Sequence, residues 1–132
     1  MPEGGCHCGA VRYSIDSELK HSAVCHCETC RRTTGALTTA WAGYPKEGLS
    51  VEGEARVYRS SEGVERHFCA TCGTSLFYFN EPMMPGVVDI LTVTFDAPQD
   101  LAPQIHVNMA DALATQAGVE SLPKFARFPG AG

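Results

Sequence analysis

The chain has 132 residues, a formal charge of −5, 44% apolar residues and 19% charged ones. That is the length of one domain, spanning 1–132, with a core of modest size. An acidic chain with only local basic clusters is not drawn to nucleic-acid phosphates or anionic lipid surfaces. It also holds no run of about 18 apolar residues that could cross a membrane as a helix, so small molecules are the expected partners.

Taken in chain order, Met1 to Cys8 carries a glutamate and no apolar stretch, unlike a secretory leader, and points to a cytoplasmic protein. Val11, Tyr13 and Ile15 alternate with Arg12, Ser14 and Asp16, the pattern of a half-buried strand. Glu28 to Thr34 can form a helical turn stopped by Gly35. Leu37 to Tyr44 reads as a strand, and Pro45 to Gly48 as a turn. Val57 and Tyr58 mark a further strand. It turns at Ser60 to Gly63 into Val64 to Phe68, making a hairpin. Thr74 to Phe79 and Val87 to Phe95 are the most apolar strand candidates, linked by the Pro- and Gly-containing segment Asn80 to Gly86. Ile105 to Met109 is predicted as a last strand, Ala110 to Ala117 as a short helix ended by Gly118, and Pro123 to Gly132 as an irregular tail. Many short strands and little helix predict a mainly-β fold with antiparallel pairing.

Seven cysteines fall into three clusters: Cys6 and Cys8; Cys25, Cys27 and Cys30; Cys69 and Cys72 with Gly73 directly after. The odd count and the metal-type spacings favour zinc over disulfides. Seven thiolates can fill one closed tetrahedral site and leave a second with three sulfurs and an open position. Cys69-x-x-Cys72-Gly73 has the form of a knuckle at a hairpin tip, and Cys6 and Cys8 are its natural complement, giving a structural site. Cys25, Cys27 and Cys30 lie within six residues and can hold a second zinc. Its fourth ligand would come from His21, His26, His67, His106 or Glu28, closing the site, or from a substrate. An open zinc among three thiolates is suited to a soft ligand such as an incoming thiolate, whose pKa it lowers. Arg31 and Arg32 follow the last ligand; Arg31 is the candidate for a substrate carboxylate. Thr33, Thr34 and Trp41 are the neighbouring candidates for a pocket wall, with Trp41 better suited to the core than to a substrate wall.

Three motifs in this order resemble one family. Gly5-Cys6-His7-Cys8-Gly9-Ala10-Val11-Arg12-Tyr13, Cys25-His26-Cys27-Glu28-Thr29-Cys30-Arg31-Arg32-Thr33-Thr34-Gly35 and Phe68-Cys69-Ala70-Thr71-Cys72-Gly73-Thr74-Ser75-Leu76 are similar to the motifs of glutathione-dependent formaldehyde-activating enzymes, a family that includes centromere protein V. The resemblance covers about residues 4 to 109. It implies a β-tent of twisted antiparallel sheets stapled by zinc. It also implies a structural zinc on Cys6, Cys8, Cys69 and Cys72, and an exchangeable or catalytic zinc on Cys25, Cys27 and Cys30. The activity implied is a carbon–sulfur lyase reaction joining formaldehyde to glutathione as S-hydroxymethylglutathione. A glutathione carrier without turnover and a two-zinc scaffold for a protein partner are the alternatives. The chain departs from the family pattern at Asp89-Ile90-Leu91-Thr92 and in the tryptophan-free segment Met109 to Ala117.

Overall fold

A computed structural model describes residues 1–130. Ten strands alternate with turns: β1 (Glu3–Gly5), β2 (Arg12–Ile15), β3 (His21–Cys25), β4 (Thr39–Pro45), β5 (Leu49–Glu52), β6 (Ala55–Ser61), β7 (Val64–Cys69), β8 (Ser75–Asn80), β9 (Val87–Leu91) and β10 (Ile105–Val107). One α-helix, α1 (Glu28–Thr34), lies between β3 and β4. Gly35 ends it in the left-handed region (φ 71°), where its N–H reaches the Arg31 carbonyl, a backbone shape that favours glycine.

The strands form a three-stranded sheet, β1-β2-β5, and a seven-stranded sheet, β10-β3-β4-β9-β8-β7-β6. All pairs are antiparallel except β10 with β3, which run parallel. The mainly-β expectation therefore holds, with one parallel edge pair. Period-2 alternation explains the core. Tyr13 and Ile15 on the small sheet meet Ala42, Tyr44, Val88 and Ile90 on one face of the large sheet, with Phe77 and Phe95 set edge-on to Tyr13 at 5.3 Å. Burying a side chain such as Ile15 or Ile90 completely is worth about 1.5–3 kcal/mol.

Two expectations need correction. Ala110–Ala117 is not an α-helix but part of two 3-10 turns, Met109–Asp111 and Ala114–Ser121. Apart from Leu113 its side chains are small or polar, and none of the segment is fully buried, so nothing stabilises a packed helical face. The apolar run Val87–Phe95 stays extended only to Leu91 and then turns at Thr92–Thr94, where the Thr94 hydroxyl donates to the Leu91 carbonyl at 2.7 Å. Among the described residues no helix is long and apolar enough to cross a membrane. The last two residues of the predicted irregular tail lie outside the described residues.

The other face of the large sheet carries the chemistry. Register places His21, Gly43, Asp89, Tyr78 and Arg66 in one row across β3, β4, β9, β8 and β7. The next row holds Ile105, Ala23, Trp41 and Leu91, and a third holds Val107, Cys25 and Thr39.

Candidate functional site

Two groups of cysteines stand apart in the fold. The first sits where the turn after β1 meets the turn between β7 and β8. There the sulfurs of Cys6, Cys8, Cys69 and Cys72 all lie within 4.8 Å of one another. Cys6 is 3.6 Å from Cys8, and Cys8 is 3.8 Å from Cys69. Four sulfurs around a tetrahedral ion with bonds of about 2.3 Å are separated by about 3.8 Å, so the donors fit a four-sulfur metal. Backbone N–H groups face the sulfurs as thiolates require: Val11 donates to Cys6 at 3.2 Å, and Thr71 and Cys72 donate to Cys69 at 3.3 Å. Gly73 adopts φ 81°, turning the chain so that its own N–H meets the Cys69 carbonyl. The Thr74 hydroxyl receives the His7 N–H at 3.1 Å, tying the two turns together. Hydrogen bonding from Thr74 brings the Cys72 thiol down to about 5.

The second group lies where β3 runs into α1. Cys25 ends the strand, Cys27 precedes the helix, and Cys30 points back from its first turn. Cys25 and Cys30 are buried, with sulfurs 3.9 Å apart, while Cys27 is half-exposed and does not close to within 4.8 Å of both. The donors suit a thiophilic metal. All three line a cavity of about 410 Å³ whose walls include Trp41, Tyr78, Met83, Met84, Ile105 and Val107. Its polar groups are His21, Asp89 and Asn108. Asn108, held at a left-handed φ of 58°, directs its amide N–H₂ to Cys25 at 3.2 Å. The neighbouring Cys30 thiol, then Asn108, lower Cys25 to about 5, and the same pairing raises Cys30.

The cation beside these sulfurs is one that spacing did not reveal. Arg66 is 9% exposed, and both its terminal nitrogens lie 3.6 Å from Cys30. Its Nε donates to the Ser60 hydroxyl at 3.0 Å, and its guanidinium lies 4.6 Å above the Tyr78 ring. A buried guanidinium requires an anion, and the sulfur cluster is what it touches. Replacing Arg66 with methionine is expected to weaken metal binding at this cluster by about 10–100-fold, measured by chelator competition, with the four-sulfur group unchanged.

Along residues 1–111 the chain matches the family described as glutathione-dependent formaldehyde-activating enzyme. The chain belongs to this family. A relative in Schizosaccharomyces pombe named as an uncharacterized lyase is 33% identical over 106 residues, covering 74% of this chain and 77% of its own. A Halomonas elongata relative, provisionally named a glutathione-dependent formaldehyde-activating enzyme, is 29% identical, covering 80% of this chain and 73% of its own. A crystal structure of a Rhodobacter sphaeroides protein superposes with a TM-score of 0.65 at 25% identity, over 80% of this chain and 99% of that one.

In this formaldehyde-activating family member each side chain considered as a fourth ligand has a partner at one of its polar atoms, while the buried Nδ1 of His26 has none among the described residues. His21 donates from Nε2 to Asp89 at 2.5 Å. His26 turns to His106, with ring nitrogens 3.0 Å apart. His67 pairs with Glu65 at 3.1 Å and packs on Phe79. Glu28 pairs with Arg32 at 3.1 Å on the helix surface. Arg31 donates to the His26 and Asp111 carbonyls at 3.4 and 3.1 Å, which fixes its guanidinium beside the helix and leaves three of its five N–H groups free of these bonds. Arg32, Thr33 and Thr34 line a second cavity of about 550 Å³, and Trp41 borders both cavities. Trp41 is buried and its N–H is bonded to Thr39, so it serves core and wall together.

The Asp89 hydrogen bond raises His21 above the ordinary imidazole range. A raised folded-state pKa gives a stabilisation that is complete below the unfolded value of about 6.5 and is lost as pH rises through the folded value. The thermal midpoint of the wild-type protein should therefore exceed that of Asp89→Asn most near pH 6. The gap should narrow toward pH 9, and a constant gap would show that this pair is not coupled to protonation.

Proposed function

We propose that this protein is a zinc-dependent carbon–sulfur lyase that forms and cleaves an adduct between glutathione, or a similar thiol, and an aldehyde such as formaldehyde. Cys6, Cys8, Cys69 and Cys72 would hold a structural zinc, and Cys25, Cys27 and Cys30 an exchangeable one. The observation that carries this is the partnering of His21, His26, His67, His106 and Glu28 elsewhere, beside a cavity onto which the three cysteines open. That arrangement favours a fourth ligand from outside the chain.

A zinc held by three thiolates supplies a place where a thiol loses its proton at neutral pH. The protein's part is positional. Asn108 and Arg66 orient Cys25 and Cys30 and offset their charge. Trp41, Met83, Met84, Ile105 and Val107 give an apolar wall that limits water around the reacting carbonyl. Overall, the thiol sulfur bonds to the aldehyde carbon, the carbonyl π bond opens, and the thiol proton ends on the new hydroxyl.

The test is the loss of free thiol in a glutathione–formaldehyde mixture. The enzyme should shorten it beyond the spontaneous reaction in proportion to protein added. Glutathione binding without any rate gain would identify a carrier instead, and two tightly held zincs with no affinity for thiol a scaffold.

A further inference from the structure

The cavity beside Cys25, Cys27 and Cys30 is far larger than one-carbon chemistry needs, and its polar groups are unevenly placed. Sulfurs and Asn108 occupy one end. The other end holds His21 and Asp89, which no step described so far uses. His21 and Cys25 lie four residues apart on β3, and with Ala23 they line the same face. At about 3.3 Å per residue their backbones are about 13 Å apart. Apolar side chains, including Trp41 and Ile105, border the space between.

His21 is held firmly. It pairs across β4 with Gly43, and Asp89 pairs with Gly43 from the other side. The imidazole lies over that glycine to reach Asp89; a Cβ at position 43 would come within 2.1 Å of the ring. Asp89 is 5% exposed. Nε2 is committed to Asp89, while Nδ1 has no protein partner among the described residues. Among the described residues no lysine or arginine lines this cavity, so His21 is the one wall side chain among them that can carry positive charge. Trp41 and Asn108 already direct their N–H groups to Thr39 and Cys25.

We propose that this cavity takes an elongated thiol with a terminal carboxylate, its sulfur at Cys25, Cys27 and Cys30 and its carboxylate received by Nδ1 of His21, with Asp89 fixing the ring. In glutathione the sulfur sits on the middle residue, and the extended γ-glutamyl arm places a carboxylate about 10 Å from it, which fits within the roughly 13 Å between the two backbones. The raised protonation of His21 is consistent with an imidazolium that donates at both nitrogens. Asp89 also lines the cavity, so the incoming carboxylate is received at Nδ1, the ring nitrogen that Asp89 does not occupy. His21 is on this account the residue that selects among thiols, and the assignment rests on the thiol-binding function proposed above.

The experiment is a titration of the zinc-loaded protein, followed by the fluorescence of Trp41, the sole tryptophan. The probes are glutathione, its diethyl ester and 2-mercaptoethanol, each with wild type and His21→Gln. His21→Gln should weaken glutathione about tenfold, the effect of losing one charge-assisted hydrogen bond. It should leave the ester and 2-mercaptoethanol unchanged, so that the preference for the free acid disappears. Asp89→Asn, which keeps a polar partner for the ring, should give a smaller loss confined to glutathione; it provides the comparison should His21→Gln misfold. Equal weakening of all three probes, or equal binding of acid and ester by wild type and both variants, overturns the assignment while leaving thiol binding standing. Failure of wild type to bind any of the three removes both this assignment and the function on which it rests.

Discussion

Cys69→Ser is expected to lower the thermal midpoint by roughly 20 °C and to reduce bound zinc by one ion per chain. Cys69 has no exposed surface and takes two backbone N–H bonds on its sulfur. It joins β7 to the Cys6–Cys8 turn, which leads into the small sheet. A structural zinc contributes its binding free energy directly to folding. A hydroxyl is a poor replacement for a thiolate, and the buried Cys6 sulfur would be left without its counter-charge. A loss of about 5 kcal/mol is therefore reasonable, and for a domain of this size each kcal/mol shifts the midpoint by about 4 °C. Calorimetry with zinc analysis checks it. A shift of under about 5 °C with both zincs retained would show that this cluster is not a structural centre.

Cys27→Ser should behave in the opposite way, abolishing the gain over the spontaneous thiol–aldehyde reaction while leaving the fold intact. Cys27 is half-exposed and faces the cavity. Its structural contribution is made by its carbonyl, which accepts the Arg31 N–H at 3.0 Å, and its side chain makes no cap bond to α1. Serine preserves both features, so stability should change by less than about 1 kcal/mol. Cys25 and Cys30 are buried and would confuse loss of ligand with loss of packing. The second zinc should leave the variant on mild chelation while the first stays. Retention of full activity by Cys27→Ser would place the chemistry elsewhere.

Local pattern carried much of the fold. The alternation at Tyr13 and Ile15, the turn at Gly35 and the hairpin arm ending in the Cys69–Cys72 knuckle each reflect a period or a turn signal that short-range physics fixes. β1 and β5 were not legible because one is Gly-rich and the other largely exposed; they are strands by virtue of their pairing with β2. β3 was hidden because its apolar residues run into a cysteine cluster that draws attention as a loop. The parallel pairing of β10 depends on a long return path that periodicity does not encode. The cysteines could be grouped by spacing, but Arg66, Asn108 and the His21–Asp89 pair could not. Arg66 stands 36 residues after Cys30, and Asn108 stands 83 after Cys25. Asp89 stands 68 after His21. Only sheet register brings them onto the same face, so a neighbouring arginine such as Arg31 looked like the cation of the site while it bonds carbonyls beside the helix.

The most direct measurement is cadmium-113 NMR of protein loaded with two cadmium ions, recorded before and after glutathione is added. A four-sulfur centre and a three-sulfur centre give separate resonances, and glutathione should move only the second, toward the position of the first, as its sulfur becomes the fourth ligand. Two resonances that stay in place at saturating glutathione, or a second resonance that shows a histidine nitrogen already bound, would contradict a centre left open for a thiol.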